Sequence, residues 1–230
     1  MDRKWIILAV LTLARTAMGY QFQSISAVSV SLNLDIGLSH ALIGTLIGLY
    51  LFPGIVVSIP GGWLGQKFGD KRVVVTALAL MAFGGGLAAL TGDQVAMMAG
   101  RLISGAGAVV LNVLLTKMLA DWFPDRHTVT AMAVLIVSWP VGIALAMVSL
   151  PVLSETFGVG AAMVATSIAA TICLLLMATS YSTPRIATPE TVSPHGYGLS
   201  KRETLLTLLA GTIWALYNVG CIVVLALSPG

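Results

Sequence analysis

Charge is what this sequence most lacks. Asp, Glu, Lys and Arg make up 9% of the 230 residues, against about 25% in an ordinary soluble domain. A surface that poor in charge does not stay in water, which excludes a cytosolic globular enzyme. Only two cysteines are present, so neither a disulfide framework nor a cysteine-based zinc site can be built. His40, His127 and His195 lie in connecting segments, and no His-Glu-x-x-His helix is found, so no metal site is expected. Ser104-Gly105 has no intramembrane histidine to activate it, and no phosphate-binding loop occurs. An intramembrane serine protease and a self-contained ATPase are therefore excluded, the chain is not expected to be an enzyme, and no cofactor is expected. No Asp or Glu falls in the middle of any long apolar run, which argues against a carboxylate proton relay in this part of the chain.

What is present is hydrophobic. Apolar residues reach 57% and the mean hydropathy is +0.96. The runs are long and continuous, so they read as membrane-spanning helices rather than as alternating barrel strands. Seven spans are expected, near 5–30, 41–65, 73–92, 95–120, 129–153, 159–180 and 203–228. The fold class is an all-α integral membrane protein, with a six-helix lobe at 1–180, a polar linker at 181–202 and a further span at 203–230. Pro184, Pro189 and Pro194, among Ser, Thr and Gly, mark the linker. Asp2-Arg3-Lys4 before an apolar run resembles a signal peptide, but Arg15 interrupts that run and further spans follow.

The basic residues orient the spans. Arg3, Lys4, Lys67, Lys71, Arg72, Lys117, Arg126, Arg185, Lys201 and Arg202 fall on one side of a seven-span alternation. The other side holds only Asp35, Asp93 and Glu155. The excess of Lys and Arg places the N-terminus and the linker in the cytoplasm, in a multi-pass protein of the cytoplasmic membrane. The net charge of +3 thus reflects a bilayer and not a nucleic-acid partner.

Two arginines remain inside spans, Arg15 in the first and Arg101 in the fourth. An arginine in hydrocarbon costs at least ~2.5–3.5 kcal/mol, so each must face protein or water. At 100° per residue, Thr12, Arg15, Thr16, Gly19, Gln23 and Ser26 form one polar stripe, and Arg101, Gly105, Asn112 and Thr116 form another. Arg15, Gln23, Tyr50, Arg101 and Asn112 are the candidate pathway residues of the first six spans. Two positive charges without carboxylate partners suit an anionic solute, although an arginine held by backbone carbonyls can also serve only to join helices. In the seventh span Trp214, Tyr217, Asn218 and Cys221 share a broad face, which fits a solute pocket and ordinary packing equally.

Three motifs carry a family resemblance. Gly62-Trp63-Leu64-Gly65-Gln66-Lys67-Phe68-Gly69-Asp70-Lys71-Arg72 resembles the loop signature G-x-L-x-D-R-x-G-R-R-R of the major facilitator superfamily, with Gln66 at the acidic position and Asp70 at a usually basic one. Arg101-Leu-Ile-Ser-Gly105-Ala-Gly107-Ala108 resembles the fourth-helix pattern R-x-x-x-G-x-G-A. Ser138-Trp139-Pro140-Val141-Gly142 resembles the fifth-helix G-P-x-x-G, with Trp139 replacing the glycine. Arg15 with Gln21-Phe22-Gln23-Ser24 resembles carriers of the cyanate and nitrate type. The resemblance implies a secondary transporter that moves a small, anionic solute by alternating access. Gly62, Gln66, Lys67, Gly69, Asp70, Lys71 and Arg72 would form a gating loop, and Gly105, Gly107, Pro140 and Gly142 would be packing devices. It also implies twelve helices in two lobes, so seven spans are incomplete and the partner would be a second lobe or another copy of the chain. A non-transporting membrane fragment or interaction subunit is the competing expectation.

Overall fold

The structure is a computed structural model, and it describes residues 3–90, 92–124, 127–183, 200, 202–206, 208–213 and 216. The chain divides into two compact units, Met1–Arg185 and Ile186–Gly230. In the second, residues 202–206, 208–213 and 216 are helical. A capping box opens this helix: Ser200 Oγ accepts from the Glu203 N–H (3.2 Å), and the Glu203 carboxylate accepts from the Ser200 N–H (2.8 Å). Linker residues 184–199 and most of the expected seventh span, including Trp214, Tyr217 and Asn218, lie outside the described residues.

The first unit is a helical lobe: α1 (Arg3–Ala27), α2 (Ser29–Leu34), α3 (His40–Leu51), α4 (Gly54–Phe68), α5 (Asp70–Ala88), α6 (Gln94–Trp122), α7 (Thr128–Phe157) and α8 (Val159–Ser180). Among the described residues, six segments are long and apolar enough to cross a membrane. The second expected span differs from a single helix. It divides at Phe52-Pro53 into α3 and α4, because a proline removes a helical N–H and clashes with the preceding turn. The expected loop at 66–72 is also mostly helical. Gly69 alone separates α4 from α5, at φ +86°, a conformation that a Cβ disfavours. Gly158 joins α7 to α8 in the same way, at φ +84°. At the start of α6, Asp93 accepts from the Val95 and Ala96 N–H groups (2.9 and 3.2 Å), which satisfies two of the donors a helix start leaves free.

Lipid tails are as apolar as leucine, so helices in a bilayer associate by close packing rather than by escape from water. Small residues supply it here. A Cβ on Gly19 would sit 2.5 Å from the Trp139 carbonyl oxygen, and one on Gly142 would collide with the Thr16 carbonyl, so α1 and α7 cross backbone to backbone. Gly105 lies against the Tyr50 backbone of α3, and Gly107 against the Ala77 carbonyl of α5. Gly84 of α5 and Gly100 of α6 face one another, each Cβ meeting the other's oxygen at 2.5 Å. Gly142→Ala should therefore lower stability by roughly 1–3 kcal/mol, the usual range for overpacking. Gly44→Ala, with nothing within 4 Å of its Cβ, should leave thermal unfolding in detergent unchanged or raised. Equal effects of the two substitutions would contradict the crossing.

Candidate functional site

Arg101 is 1% exposed and fully engaged. Its Nε donates to the Leu46 carbonyl of α3 (3.1 Å), Nη1 to the Gln21 carbonyl (2.9 Å) and Ser24 Oγ (3.3 Å), and Nη2 to the Phe22 carbonyl (3.1 Å). The guanidinium also lies 4.5 Å from the centre of the Tyr50 ring, and the buried Tyr50 hydroxyl donates to the Met18 carbonyl (3.4 Å). Arg101 and Tyr50 thus bind α1, α3 and α6 together, and every partner of the cation comes from the lobe itself.

Arg15 is the opposite case. It is half-buried, and its Nε is buried with no partner. No hydrogen bond or ion pair joins it to any described residue. Two hydroxyls of its stripe turn back onto α1, and Gln23 reaches α7. Thr12 Oγ1 donates to the Leu8 carbonyl (2.6 Å), Thr16 Oγ1 to the Thr12 carbonyl (3.0 Å), and Gln23 Nε2 to Met147 Sδ (3.2 Å). The stripe expected on α6 divides. Arg101 and Gly105 are buried, whereas Asn112 and Thr116 are exposed. The break at Pro53 explains this: α3 covers Gly105, but α4 shifts to lie over Val109, Val110, Val113 and Leu114, which leaves the Asn112 side open.

Sequence reasoning missed an aromatic row beside these groups. Phe22 stacks obliquely on Tyr50 (centroids 5.8 Å apart) and on Trp139 of α7 (5.2 Å, 34° between planes). Trp139 registered in the sequence only as a replacement for the motif glycine. Phe22 entered only as one residue of the Gln21–Ser24 motif.

The motif at 62–72 gathers at the basic end of the lobe. Asp70, first residue of α5, accepts from Lys117 Nζ of α6 at 2.6 Å. Lys71 Nζ donates to the Tyr181 carbonyl at the end of α8 (2.7 Å). Lys67 lies 4.7 Å from the Trp63 ring centre, while Gln66 and Arg72 are exposed. Gly62 faces Val113, and Gly65 packs against Leu114 and Asp70. Trp5 meets Phe123 (5.6 Å) and His127 (6.1 Å), so the start of α1 joins the same end. Burial, with the charges of Asp70 and Asp121 adding to it, pushes the Tyr181 phenol up to about 12, so this corner carries no phenolate near neutral pH. Among the described residues no cluster of His, Cys, Asp or Glu could hold a metal ion.

The family model described as Major Facilitator Superfamily matches residues 7–229. The chain belongs to the major facilitator superfamily. It is 35% identical over 125 residues to the inner membrane transport protein YajR of Escherichia coli, covering 54% of this chain and 27% of that protein. It is 26% identical over 141 residues to probable anion transporter 5 of Arabidopsis thaliana, covering 61% and 33%. The inward-open xylose transporter XylE from E. coli shares the fold, with a TM-score of 0.70 at 21% identity over 79% of this chain and 49% of that one. The chain therefore spans about a third or less of these two curated relatives and about half of the solved transporter. The relatives are transporters and not enzymes. The resemblance to cyanate- and nitrate-type carriers finds no support among them. Asp70 of the superfamily motif, its side chain 14% exposed, pairs with Lys117 of α6, 46% exposed, and such a partly solvated pair is worth about 0.2–1 kcal/mol. A double-mutant cycle of Asp70→Asn and Lys117→Met, read by thermal unfolding, should return a coupling of that size. A coupling near zero would show that the contact contributes nothing.

Proposed function

We propose that this chain forms one lobe of a secondary transporter that moves a small anion across the cytoplasmic membrane by alternating access. A second six-helix lobe, or another copy of the chain, completes the cavity. The observation that carries this reading is Arg15: a half-buried cation without a partner, in a lobe whose described spans hold no carboxylate near their middles. Such a charge is retained in hydrocarbon at a cost of a few kcal/mol, and an anion that arrives and leaves supplies the missing partner. Relatives named as probable anion transporters agree with it.

Contacts at one end of the lobe support the orientation. The Trp5–His127, Asp70–Lys117 and Lys71–Tyr181 contacts bring the start of α1, the α4–α5 corner and the ends of α6 and α8 together. That end carries Lys67, Lys71, Arg72 and Lys117, which face the cytoplasm by the excess of positive charge. The corner at Gly69 then serves as the gate, with Lys71 tying it to the exit of α8. Asn112, exposed on α6, faces the pathway.

Proteoliposomes containing the full-length protein should accumulate labelled anions from a panel of phosphate, nitrate and carboxylates. Arg15→Ala should reduce that uptake at least tenfold without reducing membrane insertion. Uptake retained by the variant would overturn the role of Arg15, and no uptake by either protein would favour the interaction subunit.

A further inference from the structure

Phe22 follows Arg15 by seven residues on α1. The two therefore share one face, about 10 Å apart along the axis. The Gly19–Trp139 contact fixes α7 at the turn between them, and the Trp139 ring lies against Phe22. Phe22 and Trp139 are half-buried, whereas Tyr50 behind them is buried and backed by Arg101. The hydroxyls of Thr12 and Thr16 turn back onto their own helix. The face thus presents a free cation at one end and two partly uncovered aromatic rings about two turns away. No polar group between them demands a hydrogen bond.

We infer that the solute is an organic anion carrying a planar ring, with its acidic group on Arg15 and its ring on Phe22 and Trp139. This rests on the anion reading above and narrows it. Tyr50, Phe22 and Trp139 already form an oblique row at 5–6 Å spacings, the range in which aromatic rings attract beyond their buried area. A ligand ring extends the row, and a spacer of several atoms lets the acid reach Arg15. An aliphatic tail fills the space without the ring-to-ring attraction.

Binding to the full-length protein in lipid nanodiscs, measured by calorimetry, tests this with three acids: 4-phenylbutyrate, 4-cyclohexylbutyrate and butyrate. Phenylbutyrate should bind about three- to tenfold tighter than cyclohexylbutyrate, the range expected for an added aromatic pair. Partition into lipid would favour the cyclohexyl acid, so it cannot mimic this result. Phe22→Leu and Trp139→Leu should each bring the ratio toward one, and Arg15→Gln should remove binding of both ring acids. Equal affinities in the unaltered protein, a ring preference that survives both leucine variants, or no binding of phenylbutyrate would overturn the inference. In the first two cases the anion reading stands if binding still needs Arg15. Undiminished binding of the acids by Arg15→Gln would overturn the anion reading itself.

Discussion

A fully buried guanidinium governs the architecture of the lobe. Arg101 lies in a region where neither water nor lipid offers an acceptor, so its donors must be met by the protein. They are met by carbonyls at Leu46, Gln21 and Phe22 and by Ser24. Such contacts demand that three helices stand close, and the glycines make that possible. Gly105 lets α6 reach the backbone of α3, while Gly19 and Gly142 hold α1 against α7. A larger side chain at Gly105 separates α6 from α3 and draws Arg101 away from its Leu46 acceptor at the same time. Packing and polar satisfaction are thus one constraint, not two.

The same constraint gives Arg15 its meaning. It stands on α1 one helical turn before Gly19, yet the helices that satisfy Arg101 leave it unpaired. One arginine holds the lobe together, and the other remains open to something outside it. At the basic end the connections are of a different kind: an ion pair between exposed Lys117 and half-buried Asp70, and a lysine bonded to the carbonyl of Tyr181, which caps α8. Such contacts are individually weak in water.

Much of this was legible in the amino-acid order. Long apolar runs, the one-sided distribution of Lys and Arg, and the glycine motifs at 62–72, 101–108 and 138–142 pointed to a helical membrane lobe of this superfamily. The roles of the two arginines were not legible. Both sit in spans on polar stripes, and only the contacts across α1, α3 and α6 distinguish a satisfied charge from a free one. The division of the α6 stripe depended on Pro53, whose local effect is predictable but whose redirection of α4 is a tertiary result. Trp139 read as a departure from a motif. Its place in an aromatic row depends on the crossing at Gly19, which brings residues far apart in sequence onto one face.

The central claim is the division of labour between Arg101 and Arg15. Its most direct test is to replace each by glutamine in the full-length protein and compare thermal unfolding in detergent with anion binding in the same samples. The account predicts that Arg101→Gln lowers stability by roughly 2–5 kcal/mol, as expected when a buried, hydrogen-bonded charge is removed. Arg15→Gln should leave stability within about 0.5 kcal/mol and lose the anion. A stable Arg101 variant, or an Arg15 variant that unfolds as readily as the Arg101 one, would contradict it.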